Sequence, residues 1–132
     1  MTRPESIWRV AERSSDLQTF SCELRDFLHE FQRGFDITGI APFDRLREEP
    51  PILAGRFPEG RVADAWLAAV ADALAERSAQ WGPAWTRKPE RFLHQPWFAS
   101  SGPHMRACLL LESPAAFRER NLFVTANALS VA

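Results

Sequence analysis

The side chains of this chain best suited to metal, acid–base or covalent chemistry are three histidines, two cysteines and scattered serines. His29, His94 and His104 fall in no HxxxH, HExxH or Cys/His spacing of the kind that brings two ligands to one metal ion. His94 and His104 flank the pair Trp97-Phe98, with Glu90 the nearest acid in sequence, and no other trio offers the makings of a site. Its spacing matches no ligand pattern, so neither a metal centre nor a catalytic residue is expected. Ser100 and Ser113 lack the GxSxG elbow that exposes a nucleophile. Cys108 lies in the apolar run ACLLLE, a setting expected to leave a thiol inert. It and Cys22 are expected as buried, unpaired thiols in a reducing compartment. Glu48-Glu49, ahead of two prolines, reads as solvated charge, and no glycine-rich phosphate loop is present. The chain reads as a protein without catalytic activity or cofactor.

Binding chemistry is better represented. Residues 81–132 carry Arg87, Lys88, Arg91, Arg106, Arg118 and Arg120 against Glu90, Glu112 and Glu119, interleaved with Trp85, Phe92, Trp97 and Phe98. Arginine with aromatic rings is the composition of protein-interface hot spots and also of single-stranded nucleic-acid surfaces. A formal net charge of −1 supplies little general attraction for phosphate. A protein partner is therefore the first reading, and a nucleic-acid-binding or transcription-regulatory domain with a basic, aromatic C-terminal face is the second.

These residues need a frame, and periodicity supplies one. Ser15-Asp16 offers a helix start, after which Leu17, Phe20, Leu24, Phe27, Leu28 and Phe31 recur on one face at the helical period. A helix over 16–33 follows, with Gly34 as its left-handed stop. Residues 1–14 suit a short helix carrying Ile7, Trp8 and Val10. Residues 35–60 form a Pro/Gly-rich arm in which Pro42 opens a single helical turn through Arg47. The alanine-rich segment 61–79 predicts a second long helix with Val62, Ala65, Trp66, Ala69, Val70, Ala73 and Leu74 on its apolar face. Beyond it the elements shorten. A brief helix PERFLH begins at Pro89, and Met105 to Glu112 reads as a buried helix. Ser113-Pro114 reads as cap plus first-turn proline of a helix through Arg120, and Asn121 as its left-handed stop. LFV is extended, and Thr125 caps a last turn.

The expected fold is all-α: two long amphipathic helices with several short helices and Pro-rich loops in a single domain of 1–132. Its first part, 1–60, holds the N-terminal helix and arm, and 61–132 is the motif-bearing helical core. At 132 residues and 45% hydrophobic content the chain is large enough for a real core. No apolar run approaches the roughly 18 residues of a membrane span, and residues 1–15 lack the apolar core of a signal peptide. The expected location is the cytoplasm, with no membrane partner, and the composition leaves a homo-oligomer open.

The run PAWTRKPERFLHQPWFAS, followed by RACLLLESPAAFRERNLFVTANAL, resembles a recurring actinobacterial and proteobacterial module. That module occurs in small proteins encoded beside nucleotidyltransferase-like partners in a toxin–antitoxin arrangement. In longer relatives it follows a helix-turn-helix domain of the Xre type. The resemblance covers roughly residues 62–130, and residues 1–35 lack the several short helices of an Xre domain. It implies an antitoxin-like protein that neutralises a nucleotidyltransferase-type toxin by direct contact. Arginines on short rigid turns suit the metal-binding acids of such a toxin, because a guanidinium pairs bidentately with carboxylates. On this reading Arg118 and Arg120, then Arg91, with Asn121, Trp97 and Phe98, form the partner-binding set.

Overall fold

The structure, a computed structural model, describes residues 2–100 and 102–129. The fold is all-α. In chain order its elements are α1 (Ile7–Arg13), α2 (Leu17–Thr38), α3 (Asp44–Arg47), α4 (Gly60–Arg77), β1 (Trp97–Phe98), α5 (Pro103–Glu112), α6 (Ala115–Arg118) and β2 (Leu122–Phe123), with 3-10 turns at Ala84–Arg87 and Pro89–Arg91. The chain divides into two compact units, one reaching to residue 63 and the other Asp64–Leu129. No helix among the described residues is long and apolar enough to cross a membrane.

In the first unit α2 begins where the sequence places it. The Asp16 carboxylate accepts the Thr19 amide at 2.7 Å, and the Thr19 hydroxyl accepts the Asp16 amide at 3.0 Å. The Thr19 amide holds the Asp16 carboxyl below its ordinary pKa, and the Thr19 side chain adds to the effect. Phe20, Leu24, Phe27, Leu28 and Phe31 form the buried stripe, with Ile7, Val10 and Ala11 of α1 and Leu46 of α3 also buried. The helix does not stop at Gly34. It runs to Thr38 and ends at Gly39, whose φ of +72° and amide bond to the Phe35 carbonyl at 2.7 Å make the left-handed stop. A glycine ends a helix only where it adopts that conformation; Gly34 stays helical, and a Cβ there would touch Pro42 at 3.4 Å. Gly60 is required for contact: a Cβ would fall 2.1 Å from the Leu53 carbonyl oxygen. Cys22 lies on the exposed side of α2 and Cys108 is half-buried, so both thiols are unpaired but neither is buried as expected.

In the second unit α4 is buried round more of its circumference than one apolar face, since Leu67, Ala68, Ala71 and Ala75 are covered as well. It closes with Ala79 in the left-handed region at φ +56°; the Gln80 amide reaches the Ala75 carbonyl at 3.0 Å and the Ala79 amide reaches that of Glu76 at 2.9 Å. The helix expected over PERFLH shrinks to the turn Pro89–Arg91, because the Leu93 amide bonds the Arg120 carbonyl at 3.3 Å instead of continuing a helix. α5 is a helix but not a buried one. Only Leu109 is covered, while Met105, Leu110 and Leu111 are exposed. α6 is shorter than expected and starts after Pro114, since the Ser113 hydroxyl is occupied elsewhere. Asn121, at φ +63°, is the left-handed stop that the sequence suggested. The last turn expected after Thr125 is seen only as turns to Leu129; 130–132 lie outside the described residues.

An alanine in the left-handed region carries a Cβ penalty of roughly 1–2 kcal/mol that glycine escapes. Ala79→Gly therefore raises the free energy of unfolding by about 1 kcal/mol, read as a higher urea midpoint at unchanged slope. An unchanged or lower midpoint would show that the α4 stop is not strained.

Candidate partner-binding surface

Two of the three arginines among the interface candidates, Arg120 and Arg91, are turned inward. Arg120 is fully buried. Its Nη1 donates to the Ala116 carbonyl at 2.8 Å and to Glu119 at 3.0 Å, and lies 3.4 Å from Asp72 Oδ2. Its Nη2 donates to the Thr86 carbonyl at 2.8 Å, and the guanidinium sits 4.8 Å over the Phe92 ring. Burial lowers its pKa and Asp72 and Glu119 pull it back up; an arginine so placed stays charged. Arg91 is also fully buried, 3.6 Å from the buried Asp64 carboxylate and 5.0 Å over the Trp85 ring. Each ties α4 to a loop that has little regular structure of its own. This corrects the expectation that Arg91 and Arg120 present their guanidinium groups to a partner.

Asn121 and Trp97 belong to the same frame. The Asn121 side-chain amide donates to the Leu93 carbonyl at 2.8 Å, and its own carbonyl accepts the Trp97 amide at 2.8 Å. The Phe123 carbonyl accepts the Ala99 amide at 3.0 Å, which completes a parallel register of Trp97 with Leu122 and Phe98 with Phe123. Two strands of two residues are not stable alone, so side chains hold them. The Trp66 ring meets Trp97 edge-on at 5.7 Å and Phe117 at 5.6 Å, and Phe98 stacks on Phe123 at 4.9 Å with Arg106 over its outer face at 5.2 Å. The Ser113 hydroxyl accepts the Val124 amide at 2.8 Å and donates to the Leu109 carbonyl at 2.6 Å, joining α5 to β2. Asn121, Trp97 and Phe98 are thus half-buried parts of the scaffold. Arg118 alone of the six stands exposed, with one nitrogen donating to the Ser113 carbonyl at 2.9 Å.

The surface that remains open carries other residues. Trp81 is 95% exposed on the turn that follows α4. It rims a groove of about 490 Å³ with Asp72, Glu76, Gln80, Arg87 and Glu119 in its lining. Arg87 reaches Asp72 and Glu119 at 3.0 Å each, and Arg120 meets the same two carboxylates from the buried side. Those two acids are neutralised within the fold. Glu76, one turn on from Asp72 along α4, is exposed and takes part in no ion pair among the described residues. Elsewhere on this unit α5 turns Met105, Leu110 and Leu111 to solvent, the last at 83% exposure. Sequence periodicity had no means of finding Trp81, since one tryptophan between Gln80 and Gly82 carries no pattern.

Among the described residues no group of three or more His, Cys, Asp or Glu side chains is arranged to hold a metal ion. His104 lies 4.0 Å from the Cys108 sulfur along α5, an exposed contact within one helix face. No protein-family model matches the chain, and comparison with curated proteins and with solved structures likewise returns no significant match.

Removing one partner of a buried, hydrogen-bonded charge cluster costs about 3–5 kcal/mol, because the remaining groups stay desolvated. Arg120→Met lowers unfolding free energy by about 3 kcal/mol on that ground, whereas Arg118→Met stays within about 0.5 kcal/mol of the parent, as an exposed substitution does. Denaturant titration of both variants checks this. Equal stability of Arg120→Met and the parent would remove Arg120 from the frame.

Proposed function

We propose that this chain is a non-enzymatic, cytoplasmic, antitoxin-like protein that binds and neutralises a nucleotidyltransferase-type toxin by direct contact. The observation that carries the contact reading is the exposed apolar surface of α5, the adjacent Leu110 and Leu111 above all. Met105, Leu110 and Leu111 face solvent on a helix whose inner side is anchored by Leu109 and by Ser113. Isolated exposed leucines are ordinary, but a cluster on one rigid helix marks a docking surface. The partner class rests on the resemblance of roughly residues 62–130 to the module found beside nucleotidyltransferase-like proteins. Within that run Arg91, Ser113, Arg120 and Asn121 are spent on internal bonds, which supports a scaffold role for them rather than contact. The opposing nucleic-acid reading loses its main residues to the interior: Trp85, Arg91 and Arg120 are buried, and Arg87 is engaged by two carboxylates.

The test is capture of the toxin from the native host by tagged chain, washed at low and then at high salt. Apolar contact survives high salt, whereas phosphate binding falls steeply with it. A nucleotidyltransferase-type protein is retained by the parent chain, and Leu111→Glu weakens retention at least about tenfold while its melting temperature stays that of the parent. Undiminished capture by Leu111→Glu moves the interface off α5. Nucleic acid recovered at low salt with no protein partner overturns the proposal.

A further inference from the structure

The groove beside Trp81 has a composition that selects its occupant. Its three carboxylates, Asp72, Glu76 and Glu119, face Arg87 on the surface and Arg120 beneath, so the charge left over is that of Glu76. The Trp81 ring, 95% exposed, lines the same groove and offers the negative face of its π system. The turn that presents it is rigid: two amide bonds close the end of α4 before it, and Gly82-Pro83 follows, with Gly82 so close to Asp72 that a Cβ would lie 2.7 Å from the carboxylate oxygen. A fixed backbone at the turn limits the ordering that binding requires to the Trp81 side chain itself.

We infer that this groove receives an arginine side chain from a basic segment of the partner protein, its guanidinium lying on Trp81 and paired with Glu76. The inference rests on the protein-binding reading. Arginine fits better than lysine because a planar guanidinium stacks on the indole while still presenting its fork of N–H donors to a carboxylate. Anionic segments are disfavoured, since Arg87, the cation they would pair with, is held by Asp72 and Glu119. The groove is polar and charge-selective, whereas α5 is apolar, so the two surfaces make separable contributions.

The probe is a short peptide of alternating glycine and arginine, titrated into the full chain while the Trp81 indole N–H signal, assigned by its loss in Trp81→Phe, is followed by NMR. A saturable shift is expected, weaker by severalfold for the glycine–lysine peptide and absent for the glycine–glutamate peptide. Glu76→Gln, an exposed substitution that leaves the fold intact, weakens the arginine peptide by about threefold to tenfold, and rising salt weakens it further. A Trp81 signal that does not move, that moves equally with the acidic peptide, or that is indifferent to Glu76→Gln overturns the inference. Peptide binding without toxin capture would leave the groove standing and remove the toxin reading. Toxin capture without peptide binding would do the reverse.

Discussion

The second unit depends on one buried cation. The Arg120 guanidinium reaches α4 through Asp72, the 3-10 turn through the Thr86 carbonyl, its own helix through Ala116, and the Phe92 ring by cation–π contact. Desolvating a guanidinium costs several kcal/mol, and the acceptors around Nη1 and Nη2 offset much of it, Nε alone having no partner among the described residues. That requirement fixes where four segments lie. The residue that follows, Asn121, turns the chain through the left-handed region and bonds both faces of the 93–97 loop. The Leu122–Phe123 pairing and the Ser113 hydroxyl then finish the fit. A segment rich in proline, poor in long helix, keeps one conformation because polar bonds do what periodic packing does in α2.

Much of the fold was legible in the sequence where a repeating pattern carries the information. The apolar stripe of α2 and the alanine-rich α4 follow from their period and propensity, and Asn121 follows from its tolerance of positive φ. The end of α2 was not legible. Gly34 and Gly39 are both glycines near the end of the apolar stripe, and only Gly39 takes the left-handed conformation. The MRACLLLE run reads as buried because it is apolar almost throughout, yet a helix buries what its neighbours cover, and its neighbours cover little beyond Leu109.

The candidate site was misread for a physical reason as well. Arginine is among the residues least often buried, so an arginine in an aromatic run is naturally assigned to the surface. Nothing in the spacing of Arg91 and Arg120 tells that Asp64 and Asp72, on a helix distant in sequence, wait to receive them. The two aspartates sit eight residues apart on α4, and each stands among alanines and valines where a charge has no use unless it is paired. That mismatch was the available signal. Trp81 and Glu76 were invisible because exposure, rather than residue type, makes them notable.

On the proposed reading Arg120 and Asn121 are frame, and recognition belongs to the exposed side of α5 and to the Trp81 groove. Hydrogen exchange of the chain alone and in complex with the proposed toxin partner separates frame from contact directly. New protection is expected over residues 79–82 and 105–112, with amides 91–97 and 120–124 slow in both states and unchanged. Protection confined to residues 91–98 and 118–121, with none on α5 or the Trp81 turn, would contradict it.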